Sequence, residues 1–159
     1  MPYGLLIALA GAAVAAVLAG VGSILGVRTA AQASAGVVAE DPDKFGKVLL
    51  LTALPGSQGI YGFLAAIIIA NTLGLLGGTL ADVSVAQGWQ VLASALPVGI
   101  TCIFSAIQQG RVAAAAVDIV AKKPDASGKG VILAAIVETY AVLGLLVTIL
   151  LVNGLGLGA

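Results

Sequence analysis

The sequence predicts an all-α membrane protein of four transmembrane helices arranged as two tandem, duplicated helical hairpins, and three observations carry that prediction. Hydrophobic residues make up 60% of the 159-residue chain and charged residues only 9%. Ordinary soluble domains are about half apolar and about a quarter charged, so too little charge is present here to cover a surface facing water. The apolar residues fall into four runs, each long enough to supply the ~20 residues that cross ~30 Å of hydrocarbon. Finally, the second half of the chain repeats the first.

The first run covers roughly 4–27. It has no basic leading segment and its small apolar residues continue through Leu25, so it reads as a retained span rather than a cleaved leader. The second run covers 48–78, the third 89–107 with an extension to about 121, and the fourth 130–152. Polar breaks separate them at Glu40-Asp41-Pro42-Asp43-Lys44, at Ala81-Asp82 and at Lys122-Lys123-Pro124-Asp125. All four are too long for strands, and Ala and Leu outnumber β-branched residues. Lipid offers no partner to backbone N–H and C=O groups, which therefore close on one another within each segment as helices. The first and third helices are expected to run on to the Pro-Asp loops, because Ala, Val and Gln dominate up to both.

Pro42-Asp43 recurs as Pro124-Asp125, an offset of 82 residues. At that offset Gly46-Lys47 meets Gly128-Lys129, Leu51 meets Leu133, Ala53 meets Ala135, Gly62 meets Gly144 and Ser23 meets Ser105. Agreement this dense around a Pro-Asp loop indicates a duplicated hairpin. Residues 1–80 form the first unit, without a carboxylate in its spans, and residues 81–159 form the second, which carries Glu138. An even number of spans per unit makes both hairpins run the same way.

All seven basic residues (Arg28, Lys44, Lys47, Arg111, Lys122, Lys123 and Lys129) lie in the two Pro-Asp loops or on the helices leading to them. The positive-inside rule therefore puts those loops in the cytoplasm and both termini outside. Trp89, near the start of the third span, suits an outer interfacial anchor as well as plain lipid contact. No basic stretch is interleaved with aromatics, so nucleic acid is not an expected partner. Histidine is absent, which removes the commonest general base and metal ligand. Cys102 stands alone in an apolar segment and reads as a small buried hydrophobe. Phosphate loops, zinc spacings and nucleophile–base pairs are missing, and Asp118, beside Lys122-Lys123, reads as a solvated or ion-paired residue.

Small residues mark where helices approach. Gly22 and Gly26 form one GxxxG, and Ala8, Ala12, Ala16 and Gly20 form a four-residue ladder on the same span. The third span carries Ala95 with Gly99, then Ala106, Gly110 and Ala114. Such spacing lets backbones come close enough for dispersion to hold them. The second and fourth spans are bulkier, with Phe63 and Ile67-Ile68-Ile69 in one and Leu145, Leu146 and Ile149-Leu150-Leu151 in the other. The odd helices are therefore expected to crowd together and the even ones to face lipid, as on the inner and outer walls of a ring of copies.

Glu138 lies nine residues beyond Lys129, ~13 Å along a helix axis from the loop. A carboxylate at that depth is costly and marks a functional site by default. Its duplicate position is Gly56. Around Gly56, the residues Leu54, Ser57, Gln58 and Tyr61 share one helix face through their i, i+3, i+4, i+7 spacing. Pro55 removes a donor and bends the helix, which can free a nearby carbonyl as a ligand. Gln109 on the third span reaches similar depth, while Gln108 points elsewhere. One carboxylate, two amide oxygens, a hydroxyl and a carbonyl make an oxygen cage for a hard monovalent cation, and the count favours Na⁺ over a proton, which needs only Glu138 and one partner. Tyr61 is expected to donate to Glu138 rather than to bind the ion.

These residues carry a family resemblance. Leu54-Pro55-Gly56-Ser57-Gln58-Gly59-Ile60-Tyr61-Gly62-Phe63 resembles the second helix of the K-subunit proteolipid of bacterial V-type rotary ATPases, most of all its sodium-transporting branch. Phe104-Ser105-Ala106-Ile107-Gln108-Gln109-Gly110-Arg111-Val112-Ala113 and Val137-Glu138-Thr139-Tyr140-Ala141 resemble its third and fourth helices. The likeness implies a multi-pass subunit of the bacterial cell membrane, non-catalytic by itself, that assembles into a homo-oligomeric rotor ring turned by ATP hydrolysis or turning to make ATP. It further implies Na⁺ held by Glu138, Gln109, Gln58, Ser57 and the Leu54 carbonyl, with Tyr61 bonded to the carboxylate. A membrane stator subunit would supply the basic residue that empties the site, since Arg28 and Arg111 lie towards the cytoplasmic ends. A central-stalk subunit would sit on the loops around Pro42 and Pro124. Ser57 departs from the threonine of the sodium branch, keeping the hydroxyl and losing a methyl, which bears on affinity more than on ion identity. The alternatives are a proton-carrying rotor of the same architecture and a passive four-helix channel or structural proteolipid.

Overall fold

A computed structural model describes residues 2–157. Five α-helices make four spans: α1 (Pro2–Glu40), α2 (Phe45–Ala53) with α3 (Ser57–Thr72), α4 (Val85–Lys122) and α5 (Ser127–Gly154), with no strand among the described residues. All four spans are long and apolar enough to cross a membrane. The 39 residues of α1 and 38 of α4 extend ~57 Å each, well beyond the hydrocarbon, so both helices continue past it to the Pro-Asp loops as their composition predicted. The second helix is shorter than its apolar run. It stops at Thr72, and Gly74 and Gly78 take φ of +76° and +80° in the turn that follows, a conformation that costs glycine little and ends a helix whatever the hydropathy.

Each Pro-Asp loop contains a single 3₁₀ turn with Pro at its start, Pro42–Lys44 and Pro124–Ala126. The fixed φ of proline suits a first turn and its missing N–H leaves nothing unsatisfied there. Lys44 Nζ donates to Ala121 O at 3.0 Å, and Lys47 pairs with Asp125 at 3.6 Å. The two loops thus share one end of the molecule. At the other end Gly4 and Gly88 abut backbone to backbone.

The most extensive interface joins α1 to α4. Gly4 beside Gly88 and Gly26 beside Gly110 show these helices running parallel, as a duplication of whole hairpins requires. On α1 the inner stripe is Gly4, Ala8, Gly11, Ala15, Ala19, Gly22, Gly26 and Ala30, a mixture of three- and four-residue steps. Of the ladder Ala8, Ala12, Ala16 and Gly20, only the first two lie in the contact within one chain. Ala8 and Ala12 are buried, but Ala16 and Gly20 are half-exposed. Successive steps of four turn 40° further round a helix of 3.6 residues per turn, so a strict ladder walks off the contact face. Ala95, Gly99, Ala106 and Gly110 of α4 are all buried as predicted, and Ala114 is half-exposed.

The bulkier spans flank this seam. Gly62 packs on Ala19 and Ala15 of α1, and its duplicate Gly144 packs on Thr101 and Pro97 of α4, so each hairpin closes through the same glycine. Phe63, Ile67, Leu146 and Leu150 face outward, whereas Ile69 and Leu145 turn into the core. Cys102 is fully buried in that core. Pro97 interrupts the hydrogen-bond ladder within α4, and the next donor, Val98 N–H, reaches Thr148 Oγ1 on α5 at 3.1 Å. Thr148→Val keeps the shape and removes the acceptor. The expected outcome is a loss of about 0.5–1.5 kcal/mol, the net worth of one buried hydrogen bond, read from thermal unfolding in detergent.

Candidate ion-binding site

Glu138 sits near the middle of α5, half-buried, facing the break between α2 and α3. That break is the 3₁₀ turn Leu54–Gly56, and Pro55 is its cause, since the ring cannot donate to the preceding turn. A cleft of about 350 Å³ opens there, lined by Leu50, Ala53, Leu54, Gly56, Ser57, Ile60 and Glu138. Glycine at 56, opposite the carboxylate's own helix, puts no side chain into the space.

Both carboxylate oxygens accept a hydrogen bond. Tyr61 Oη donates to Oε1 at 2.5 Å, and Gln109 Nε2 donates to Oε2 at 3.4 Å. The second hydrogen of the Gln109 amide goes to Ala134 O at 3.1 Å. Gln58, fully buried like Gln109, donates from Nε2 to Gln109 Oε1 at 2.6 Å and to Ser105 Oγ at 3.2 Å. Ser57 has one hydroxyl hydrogen, with Leu54 O at 3.0 Å and Gln58 Oε1 at 3.3 Å as acceptors.

These bonds have a common sense. Each amide uses both of its N–H groups on fixed acceptors, and Tyr61 uses its only hydrogen on Glu138. Carbonyl and hydroxyl oxygens have further lone pairs. What remains uncommitted is therefore oxygen: the second lone pairs of Gln109 Oε1, Gln58 Oε1 and Ser57 Oγ, and those of the carboxylate. Hydrogens point at the protein and oxygens are left for a ligand. Such a set suits a hard cation and repels an anion. The Leu54 carbonyl is also used by the Ser57 N–H, and its hydroxyl contact ties the 3₁₀ turn to the site.

All six residues singled out from the sequence, Leu54, Ser57, Gln58, Tyr61, Gln109 and Glu138, are thus gathered from three helices into one hydrogen-bonded cluster with its flanking turn. Gln108 is exposed and bonded to Arg111 instead, and Asp118 is exposed near the loop end of α4. Ser105 was not among the expected site residues. Its Oγ accepts from Gln58 and donates to Val137 O at 2.9 Å. A signal for it existed in the duplication, where Ser23 is its counterpart. Ser23 Oγ donates to Gly56 O at 3.3 Å and accepts from Gly59 N at 2.7 Å, tying α1 to the second span as Ser105 ties α4 to α5. Among the described residues every buried side-chain nitrogen and oxygen has a partner.

The family model for the C subunit of ATP synthase matches this chain twice, over residues 10–69 and 92–151. The two matches are displaced by the same 82 residues that align the Pro-Asp loops. Among curated proteins, the chain is 45% identical over 149 residues to the V-type sodium ATPase subunit K of Enterococcus hirae, covering 94% of this chain and 92% of that one. It is 38% identical over 150 residues to the A-type ATP synthase subunit K of Methanocaldococcus jannaschii, of whose length it spans 63%.

Proposed function

The chain belongs to the family of the ATP synthase C subunit, a non-catalytic class of membrane rotor subunit, and from that premise we propose that it carries Na⁺ on Glu138 in the rotor ring of a V-type ATPase. The observation that supports this reading is the polarity of the cluster: the hydrogens of Gln58, Gln109 and Tyr61 are all spent on fixed acceptors, Glu138 among them, so the capacity left over is lone pairs on oxygens beside a single carboxylate. Glu138, Gln109, Gln58, Ser57 and the Leu54 carbonyl are the proposed ligands, and Tyr61 holds the carboxylate by its hydrogen bond. One negative charge balances one monovalent cation, so the loaded site is electrically neutral and can pass through lipid without the cost of a bare carboxylate. The name of the Enterococcus hirae relative, a sodium ATPase subunit, supports the choice of ion.

Copies form a ring, with the α1–α4 seam on the inner wall and the outward-facing side chains of α3 and α5, such as Phe63 and Leu150, against lipid. The Pro-Asp loops face the cytoplasm of a bacterial cell and the termini face outward, as the basic residues at the loop end direct. Because the loops touch through Lys44 and Lys47, they offer one polar surface per copy to a central-stalk subunit. Release of the ion calls for a cation near Glu138. Arg28 and Arg111 lie towards the loop end, so a membrane stator subunit supplies it.

Carbodiimide labelling tests this reading. Carbodiimides attack the protonated carboxyl, so a cation bound at Glu138 protects it. In membranes at fixed pH, Na⁺ at millimolar concentration or below should suppress labelling of Glu138, and K⁺ should not. Labelling that follows pH and ignores Na⁺ would make the ring a proton carrier.

A further inference from the structure

We infer that Ser105 is a positioning residue for the ion site, and that its hydroxyl sets which end of the Gln58 amide faces the ligand. The inference rests on the Na⁺-carrier reading above and concerns a residue outside the ligand set.

A terminal amide can turn over by a half-rotation, exchanging an oxygen for an NH₂ at little intrinsic cost. For a cation site the exchange matters, because it replaces a ligand with two hydrogens. Something must therefore hold Gln58 the right way round, and the hydrogen-bond polarity identifies it. Val137 O, one residue before Glu138, is a carbonyl and can only accept. The Ser105 hydroxyl lies 2.9 Å from it and must give it its single hydrogen. Towards Gln58, then, Ser105 Oγ has only lone pairs to present, and at 3.2 Å it requires a donor. Gln58 must answer with Nε2, which puts Oε1 on the opposite side, within 3.3 Å of the Oγ of Ser57, a residue that lines the cleft.

A second lock meets the first. Gln109 gives both hydrogens to Ala134 O and Glu138 Oε2, so its Oε1 also demands a donor from Gln58. Were Gln58 to flip, its oxygen would confront two acceptors, Ser105 Oγ and Gln109 Oε1. Two backbone carbonyls on α5, Val137 O and Ala134 O, thereby fix the direction of every bond in the chain from α5 through α4 to the second span. Ser105 is 5% exposed and Gln58 is fully buried, so water does not substitute easily for the missing partner.

Removing the hydroxyl should weaken Na⁺ binding and leave proton binding at Glu138 in place, since Ser105 touches neither carboxylate oxygen. The comparison that isolates the hydroxyl is Ser105→Thr against Ser105→Val, which share volume and branching. Glu138 labelling by carbodiimide in membranes is followed against Na⁺ concentration, and against pH without Na⁺, for these two variants, for Ser105→Ala and for the unaltered chain. The expected result is that the Val and Ala variants need about tenfold more Na⁺ for half-protection, the loss of one buried hydrogen bond, while Thr stays near the unaltered value. Their labelling against pH without Na⁺ should coincide with that of the unaltered chain. Equal Na⁺ requirements for Thr and Val would overturn the assignment. So would a Val variant that no longer assembles while Thr does, which would make the hydroxyl a structural tie alone. Labelling of the unaltered chain that ignores Na⁺ would instead remove the carrier reading on which the assignment stands.

Discussion

Glu138→Gln is expected to abolish Na⁺ transport and to leave the ring assembled. Glutamine has nearly the volume of glutamate, and its carbonyl can still accept from Tyr61, now 2.5 Å from the carboxylate. The packing of α5 against α3 and α4 should therefore survive, although the new NH₂ group faces Gln109 Nε2 where Oε2 accepted before. What disappears is the single negative charge among the oxygens supplied by Gln58, Gln109 and Ser57. Without it a bound Na⁺ would be an uncompensated charge at mid-membrane, costing about 3 kcal/mol or more by insertion scales and so at least ~100-fold in occupancy. ATP-driven uptake of ²²Na⁺ into inverted vesicles should fall to background, and the carbodiimide label at position 138 should disappear. Transport at the unaltered rate would remove Glu138 from the mechanism altogether. Glu138→Asp keeps the charge but draws it back by one methylene from Tyr61 and Gln109, so its transport should lie between the two.

Gly110→Val should prevent the fold from forming. A Cβ added at Gly110 falls against O, Cα and C of Gly26, and one added at Gly26 falls against Ala106 O. These obstacles are backbone, so no rotamer change relieves them; α1 and α4 must separate. Apolar lipid gives the helices no hydrophobic drive to associate, and close van der Waals contact along the seam is much of what holds them. Opening it at one crossing weakens the contacts on either side. The expected loss is about 3 kcal/mol or more, at the upper end of overpacking effects, seen as failure to recover assembled protein from detergent-solubilised membranes. Gly36→Ala is the control. Gly36 lies in the exposed last part of α1 with nothing near its missing side chain. Replacing glycine there should raise stability by about 0.5–1 kcal/mol through helix propensity. If Gly110→Val assembled as well as Gly36→Ala, the seam would not be the structural spine of the subunit.

Much of this was legible without coordinates. Hydrocarbon leaves the backbone one economical solution, so long apolar runs become helices and polar breaks become loops. The same solvent makes a lone carboxylate inside an apolar span conspicuous, and Glu138 is one. Leu54, Ser57, Gln58 and Tyr61 followed from it because neighbours on one helix face are encoded by spacing alone. The second helix ended early for a local reason as well, in the positive-φ glycines after Thr72, but hydropathy does not distinguish a glycine that turns from one that packs.

By itself, then, the sequence determined four spans, their duplication and the chemistry gathered around one acid, because each depends on local periodicity or on solvent. Tertiary structure alone decided which small residues lie in the seam, since Ala16 and Gly20 turn away from it while Gly11 and Gly22 do not. It decided that Thr148 receives the donor beside Pro97, 50 residues away in the chain. And it decided the direction of every hydrogen bond around Glu138, from Val137 O through Ser105 to Gln58. Those outcomes depend on how distant helices cross and in what register, and a hydrogen bond acquires its polarity only when both partners, and the partners of those partners, are in place.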